Sequence, residues 1–310
     1  MVYIPTSVGS ILFIFLDGVG LGADDPARNP FAAAEIPNLI GLLGGQRPLA
    51  GLPQIDAGRA IFVPTDASLG VPGPPQSATG QASILTGLNV PALVGQHWGP
   101  KPNQAVAEIV RRENIFKTLG RRAALANAYP PRYFDAIGSG RRNYSTVPLA
   151  VTSAGLTLCG VDDLRAGRAF SADFTGEGWR RELRFADTPV YAPGEAGARL
   201  AQSALERAFT FFEHWLTDVV GHRGTLADAV RVVESFDAVI GGLLEAWDDA
   251  RGLIVVTSDH GNLEDMSTRH HSLNRVPTLV IGAARAAFAE GLIDLTRFAA
   301  AVQRTLRIDD

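Results

Sequence analysis

Two continuous apolar runs, each stopped by an acidic residue, constrain this chain more than any other feature. Ser10-Ile-Leu-Phe-Ile-Phe-Leu16 ends at Asp17-Gly18, and Arg251-Gly-Leu-Ile-Val-Val-Thr-Ser258 ends at Asp259-His260-Gly261. A strand that is apolar at every position must be covered on both faces, as a central strand of a parallel sheet between helical layers is. A third apolar segment, 209–216, ends at Thr217-Asp218. Ligands of open α/β sheets bind beyond the C-terminal ends of the strands, so three carboxylates are predicted on one functional rim. Helical spacing over 76–88, 103–119, 196–208 and 226–247, and a further strand over 123–126, complete an α/β alternation. From about Pro130 to Pro193 the pattern turns irregular and rich in Arg, Gly, Ser and aromatic residues. This reads as a small cap, 131–193, inserted into a core built from 1–130 and 194–310.

The 310 residues, 46% hydrophobic and 19% charged, are enough to bury a substantial core without a staple. The formal net charge of −4, with arginines scattered in pairs, excludes an extended basic surface, and nucleic acid is not expected as a partner. A single cysteine, Cys159, excludes an internal disulfide and a thiolate metal cluster, so any metal must sit on oxygen and imidazole. The run Ile11 to Leu16 lacks a preceding basic residue and a following small-residue cleavage site, and reads as a strand rather than a signal core. No apolar run approaches the roughly 20 residues that cross a bilayer. A soluble, cytoplasmic protein with no membrane partner is expected.

The chemistry-bearing residues cluster at the ends of the apolar runs. Asp218 and His222 stand four apart, which places both on one face if the segment turns helically. Asp259 and His260 are adjacent at a strand end, and His270-His271 precede another apolar run, 278–281. Four of the six histidines thus fall in these segments beside Asp218 and Asp259. Each alone is as readily a helix cap or an ordinary core or surface histidine; it is their coincidence that points to a metal centre. Paired divalent metals in phosphate chemistry need several anionic oxygens with imidazoles to set geometry. A nucleophile is offered by Ser77, which follows Pro74-Pro-Gln at the start of a helix where free N–H groups favour an anion. Thr79 and Ser83 are chemical alternatives, and a plain N-cap is the structural one.

These motifs resemble the alkaline phosphatase superfamily, specifically the metalloenzyme branch of cofactor-independent phosphoglycerate mutase and phosphopentomutase. The resemblance lies in Phe15-Leu-Asp-Gly-Val-Gly20, Gln76-Ser-Ala-Thr-Gly80, Thr217-Asp-Val-Val-Gly-His222, Thr257-Ser-Asp-His-Gly-Asn262 and His271-Ser-Leu-Asn-Arg-Val-Pro277, in the family's order. It implies an alkaline-phosphatase-like core with a largely parallel central sheet flanked by helices, plus the small inserted cap. It also implies two divalent ions, manganese or zinc with magnesium as a third candidate. One would be held by Asp218, His222 and His271, preferred over His270, and the other by Asp17, Ser77, Asp259 and His260. Two departures stand out: Gly80 is followed by Gln81 where the mutases have histidine, and only Lys101 and Lys117 are available for the mutase lysine role. The implied reaction is phosphoryl transfer through a phosphoserine, as phosphomonoester hydrolysis or as a phosphomutase of phosphoglycerate or pentose phosphate. The partner is then a small phosphorylated metabolite. A metal-binding protein without catalysis is the reading from a different class. Arg141, Arg142 and Asn143 in the cap are candidates to grip the substrate by forked hydrogen bonds, or else form a solvated basic turn.

Overall fold

The computed structural model describes residues 7–307. Its sheet has seven strands: β1 (Ser10–Leu16), β2 (Ile55–Asp56), β3 (Ala60–Thr65), β4 (Ala123–Leu125), β5 (Phe209–His214), β6 (Gly252–Ser258) and β7 (Val276–Ile281). Their order is β2-β3-β7-β6-β1-β5-β4. β6, β1, β5 and β4 are mutually parallel, while β7, β3 and β2 are added antiparallel. β1 lies inside the sheet between β6 and β5, with every residue buried, as its uninterrupted apolar run requires.

Side chains alternate across this sheet into two cores. Ile11, Phe13, Phe15 and Phe211 face one helical layer, which includes Ser77–Thr86 and Gln104–Arg112. Leu12, Ile14 and Phe212 face the other, built chiefly from Pro193–Ala204 and Leu226–Ala246. The sequence leaves open which of Glu213 and His214 points inward; both are buried, on opposite faces. Glu213 accepts from the Tyr129 hydroxyl at 2.9 Å, and His214 packs on Phe174 and Phe236.

Several expected boundaries shift for local reasons. The segment 103–119 is two helices, because Asn114 ends the first by donating to the Val110 carbonyl at 2.8 Å and caps the second by accepting from Lys117 N–H at 3.1 Å. The run 209–216 stops as strand at His214, and Leu216–Arg223 is helical, so Asp218 reaches the rim from a helix rather than a strand end. β3 was not anticipated: Pro64 breaks its pattern, and Pro64 and Pro277 are paired opposite one another in the β3–β7 ladder. The segment 131–193 holds four short helices; Thr146–Ser153 packs into the core beside the Ser77 helix. Among the described residues no helix is long and apolar enough to cross a membrane.

Candidate metal centre and nucleophile

The rim beyond β1, β5 and β6 gathers the predicted residues. Asp17 follows β1, and Gly18 turns the chain away at φ +70°, a left-handed conformation that glycine adopts without penalty. Glycine is needed there for a second reason: a Cβ would lie 2.7 Å from Asp218 Oδ1. Asp259 and His260 follow β6 and are fully buried. Ser77 is the first residue of its ten-residue helix, with Gln76 in the capping position, so the plain N-cap reading does not hold. The helix lies close enough to the β6 end that a Cβ on Gly80 would stand 2.9 Å from Asp259 Cβ.

Ser77 Oγ sits 3.0 Å from His260 Nε2. That nitrogen is also 3.3 Å from Asp17 Oδ1 and 3.7 Å from Asp259 Oδ1. Along the Leu216–Arg223 helix the four-residue spacing brings His222 Nε2 to 3.3 Å from Asp218 Oδ1, and His271 Nε2 reaches the same oxygen at 3.7 Å. Asp17, Asp259 and His260 form one donor group, and Asp218, His260 and His271 another; within each, the ligand atoms all lie within 4.8 Å. His260 belongs to both, its ring stacked on His271 with centroids 3.7 Å apart. His270 is exposed and outside the cluster.

The donor set fits cations. His222 Nδ1 lies 2.8 Å from the Arg269 carbonyl and His271 Nδ1 lies 2.8 Å from the Pro75 carbonyl. Carbonyl oxygens only accept, so both protons are on Nδ1, and in the neutral rings both Nε2 atoms carry lone pairs. Those two lone-pair nitrogens face each other at 3.2 Å, an arrangement a shared cation satisfies and a hydrogen bond does not. Asp17 Oδ1 is likewise buried and accepts no hydrogen bond. Burial pushes the Asp259 carboxyl well above the usual carboxylate range; His260 opposes this, and Asp17 and Asp218 add to it. Burial pulls the His260 imidazole down, but Asp259, Asp17 and Asp218 outweigh it and lift the group to about 10. Burial and the His260 charge push His271 down to about 4. A buried Asp259 carboxyl held towards its protonated form beside two further carboxyl groups marks a site short of positive charge.

Sequence reasoning passed over the residues that brace these donors. Gln81, where the resemblance leads one to expect histidine, donates its amide to Asp259 Oδ2 at 3.2 Å and reaches Asp17 Oδ2 at 3.5 Å. Asn262 donates to Asp218 Oδ1 at 2.9 Å. Glu264, 1% exposed, accepts from Gly20 N–H at 2.9 Å, Asn262 N–H at 2.8 Å, Asn274 Nδ2 at 3.0 Å and the Ser272 hydroxyl. It thereby ties together the loops that carry Asp17, His260 and His271. Its only sequence signal was a carboxylate beside a metal motif. Of the cap candidates, Arg142 lines a cavity and places its guanidinium 5.0 Å over the Tyr133 ring. Arg141 is exposed and donates to the Ser139 hydroxyl, and Asn143 lines a separate surface hollow.

Residues 195–307, which carry five of the site's donors, match the family model described as the Metalloenzyme superfamily. The resemblance read from the motifs is borne out by its relatives. The chain is 32% identical over 149 residues to a phosphopentomutase of Syntrophotalea carbinolica, covering 46% of this chain and 36% of that protein. It is 37% identical over 103 residues to a 2,3-bisphosphoglycerate-independent phosphoglycerate mutase of Paracoccus denitrificans, covering 30% of this chain and 20% of that one. The chain therefore matches well under half the length of these curated relatives. In fold it is similar to the PH0037 protein of Pyrococcus horikoshii, with a TM-score of 0.58 at 15% identity over 98% of both chains. It is also similar to phosphoglycerate mutase of Leishmania mexicana, with a TM-score of 0.51 at 12% identity over 98% of this chain and 96% of that one.

Proposed function

We propose that this chain is a two-metal phosphoryl-transfer enzyme that forms a phosphoserine at Ser77 and hydrolyses phosphomonoesters of small metabolites. The observation that carries this reading is the position of Ser77 Oγ, 3.0 Å from His260 Nε2 at the start of a helix, inside a cluster holding Asp17, Asp218 and Asp259. Divalent ions, manganese or zinc with magnesium as the third candidate, would be held by Asp218, His222 and His271 and by Asp17, Ser77, Asp259 and His260. Once bound they supply the positive charge that offsets the non-bridging phosphate oxygens and favours the serine alkoxide.

The chain's own groups do the rest. The helix N-terminus at Ser77 presents backbone donors to an anion. Gln81 holds the Asp17 and Asp259 carboxylates in orientation, and Asn262 holds Asp218. The Arg269 and Pro75 carbonyls keep His222 and His271 in the tautomer that directs Nε2 at the site. Ser77 Oγ bonds to phosphorus as the ester oxygen departs, and water then cleaves the phosphoserine, returning the serine and releasing phosphate. Hydrolysis is favoured by the openness of the Asp218 side, where the His222 side chain is 36% exposed beside a hollow of about 550 Å³ that admits water. The alternative, a phosphomutase, is supported by the likeness to a phosphoglycerate mutase and a phosphopentomutase. Within the segment 131–193, the parts outside the core-packed helix Thr146–Ser153 act as a small cap, with Arg142 as its substrate-facing cation and Arg141 and Asn143 on the same turn. The lone Cys159 suits the reducing cytoplasm.

A panel of phosphomonoesters incubated with the manganese- or zinc-loaded protein tests this reading. Metal-dependent phosphate release that falls at least a thousandfold in Ser77→Ala is expected. Conversion of substrate to an isomer without free phosphate assigns the mutase reaction instead, and turnover that survives Ser77→Ala removes serine from the mechanism.

A further inference from the structure

Of the three donors assigned to one cation, Asp218 and His222 ride on the Leu216–Arg223 helix, and His271 comes from the loop two residues beyond Arg269. An ion binds tightly at such a junction only if helix and loop hold a fixed separation before it arrives. Among the described residues, the polar contacts between this helix and the 265–271 loop, apart from those of the donor atoms themselves, all come from Arg269. Its carbonyl lies 2.8 Å from His222 Nδ1, and its Nη1 donates to the Gly221 carbonyl at 3.3 Å and to the Gly224 carbonyl at 2.6 Å. One residue thus holds both the helix and the imidazole that the helix carries.

The chemistry of these bonds suits a brace. The last turn of a helix leaves carbonyls without an intrahelical partner, and a guanidinium placed there satisfies them and meets the negative end of the helix dipole. Gly224 N–H returns to the Val220 carbonyl at 2.7 Å, and the next oxygen along, that of Gly221, is met by Arg269. A Cβ on Gly221 would lie 2.7 Å from the Asn262 side chain, so the helix is seated against the residue that holds Asp218. Charge alone argues the other way. Arg269 and Arg223 both line the hollow that contains Ser77, Asp218, His222 and His271, and a positive group beside a cation site weakens cation binding. A clamp and a bare charge therefore predict opposite signs when Arg269 is removed.

We propose that Arg269 is a positioning residue that clamps the 265–271 loop to the Leu216–Arg223 helix and so fixes the separation of His222 and His271, 3.2 Å between their Nε2 atoms, for the cation they share with Asp218. The proposal rests on the two-metal reading above. The Arg269 main chain sets the tautomer of His222, and its side chain sets where the helix bearing Asp218 and His222 stands relative to His271.

The test is calorimetric titration of manganese into the metal-free protein for wild type, Arg269→Ala, Arg269→Lys and Arg223→Ala, with urea unfolding of the same metal-free proteins. In Arg269→Ala the affinity for one of the two ions is expected to fall about 10–100-fold, the scale of outer-shell substitutions, while the other ion and the urea midpoint stay close to wild type. Arg269→Lys, which keeps a donor within reach of the same carbonyls, is expected to recover most of the loss. Arg223→Ala removes the same charge from the same hollow without touching the clamp, and its manganese affinity is expected to be unchanged or higher. At saturating manganese, kcat of Arg269→Ala should return towards the wild-type value. Manganese binding in Arg269→Ala as tight as in wild type, or tighter as charge alone dictates, overturns the proposal and leaves the two-metal reading standing. Equal loss of both ions with a lower urea midpoint overturns it as well, since that marks a general structural role. A change confined to KM for the ester, with metal affinity unaltered, moves Arg269 to substrate binding and overturns the clamp. Wild-type protein that takes up no manganese refutes the two-metal reading itself, and the clamp with it.

Discussion

Removing the Glu264 carboxylate is expected to loosen three loops of the site at once. Two buried backbone N–H groups, of Gly20 and Asn262, and two side-chain donors, of Ser272 and Asn274, converge on it. In Glu264→Ala all four lose their acceptor, and each buried unpaired donor costs about 1–3 kcal/mol. Water entering the vacated space recovers part of this, which leaves a net destabilisation of about 3–5 kcal/mol, a large share of the roughly 5–15 kcal/mol of a typical domain. Glu264→Gln keeps an oxygen for the two backbone donors and turns an amide against Ser272 and Asn274, so about 1–2 kcal/mol is expected. Because Glu264 positions the segments bearing Asp17, His260 and His271, metal affinity should fall about 10–100-fold in the alanine variant, as outer-shell substitutions do. Urea unfolding at constant m-value measures the first quantity, and competition with a chromogenic chelator measures the second. An alanine variant within about 1 kcal/mol of wild type refutes the structural tie, and a destabilised variant with unchanged metal affinity refutes its transmission to the donors.

Gly80→Ala places a methyl group 2.9 Å from Asp259 Cβ and 3.0 Å from its carbonyl oxygen. The helix bearing Ser77 must shift, costing about 1–3 kcal/mol and at least tenfold in kcat; wild-type kcat in this variant contradicts the packing argument. Burial raises the Glu213 carboxyl to about 8, opposed by the Tyr129 hydrogen bond and aided by Asp17. Its folded value lies above the ordinary 4.5, so its contribution is fully present below about pH 4.5 and lost as the pH rises towards 8. Wild-type stability should therefore carry a component that falls by up to about 1.4 kcal/mol per pH unit across that window. Glu213→Gln should lack it, and parallel urea-unfolding profiles for the two proteins are the contrary result. Chelation should lower thermal stability: an ion present at a hundred times its dissociation constant contributes about 2.7 kcal/mol, several degrees in Tm for a domain of this size. Calorimetry with and without chelator reads this shift, and coincident transitions remove the cations from the site.

Much of the rim was legible in one dimension because strands end where a polar residue must meet solvent or ligand. The uninterrupted apolar runs before Asp17 and Asp259 have to be central strands, and central parallel strands deliver their next residue to the ligand edge. The four-residue spacing of Asp218 and His222 predicted a shared helical face, and the two side chains do meet. The ordered motifs carried the family resemblance and so the expected donor set.

Tertiary structure alone decided what no local period encodes. β3 joins β7 antiparallel with Pro64 opposite Pro277, and Pro64 disguises β3 as a loop, while the apolar run 278–281 of β7 was visible in the sequence. Gln81 meets Asp17 and Asp259, and Glu264 meets Gly20, through contacts between segments that are well separated in the chain. The cavity lined by Tyr129, Arg142, Trp179 and Trp215 is assembled from residues at 128–145, 171–183 and 215–216, which no local period brings together. Spacing along a chain determines which face of an element a side chain occupies; which other element that face meets depends on packing of the whole, and there the bracing and the pocket of this protein were settled.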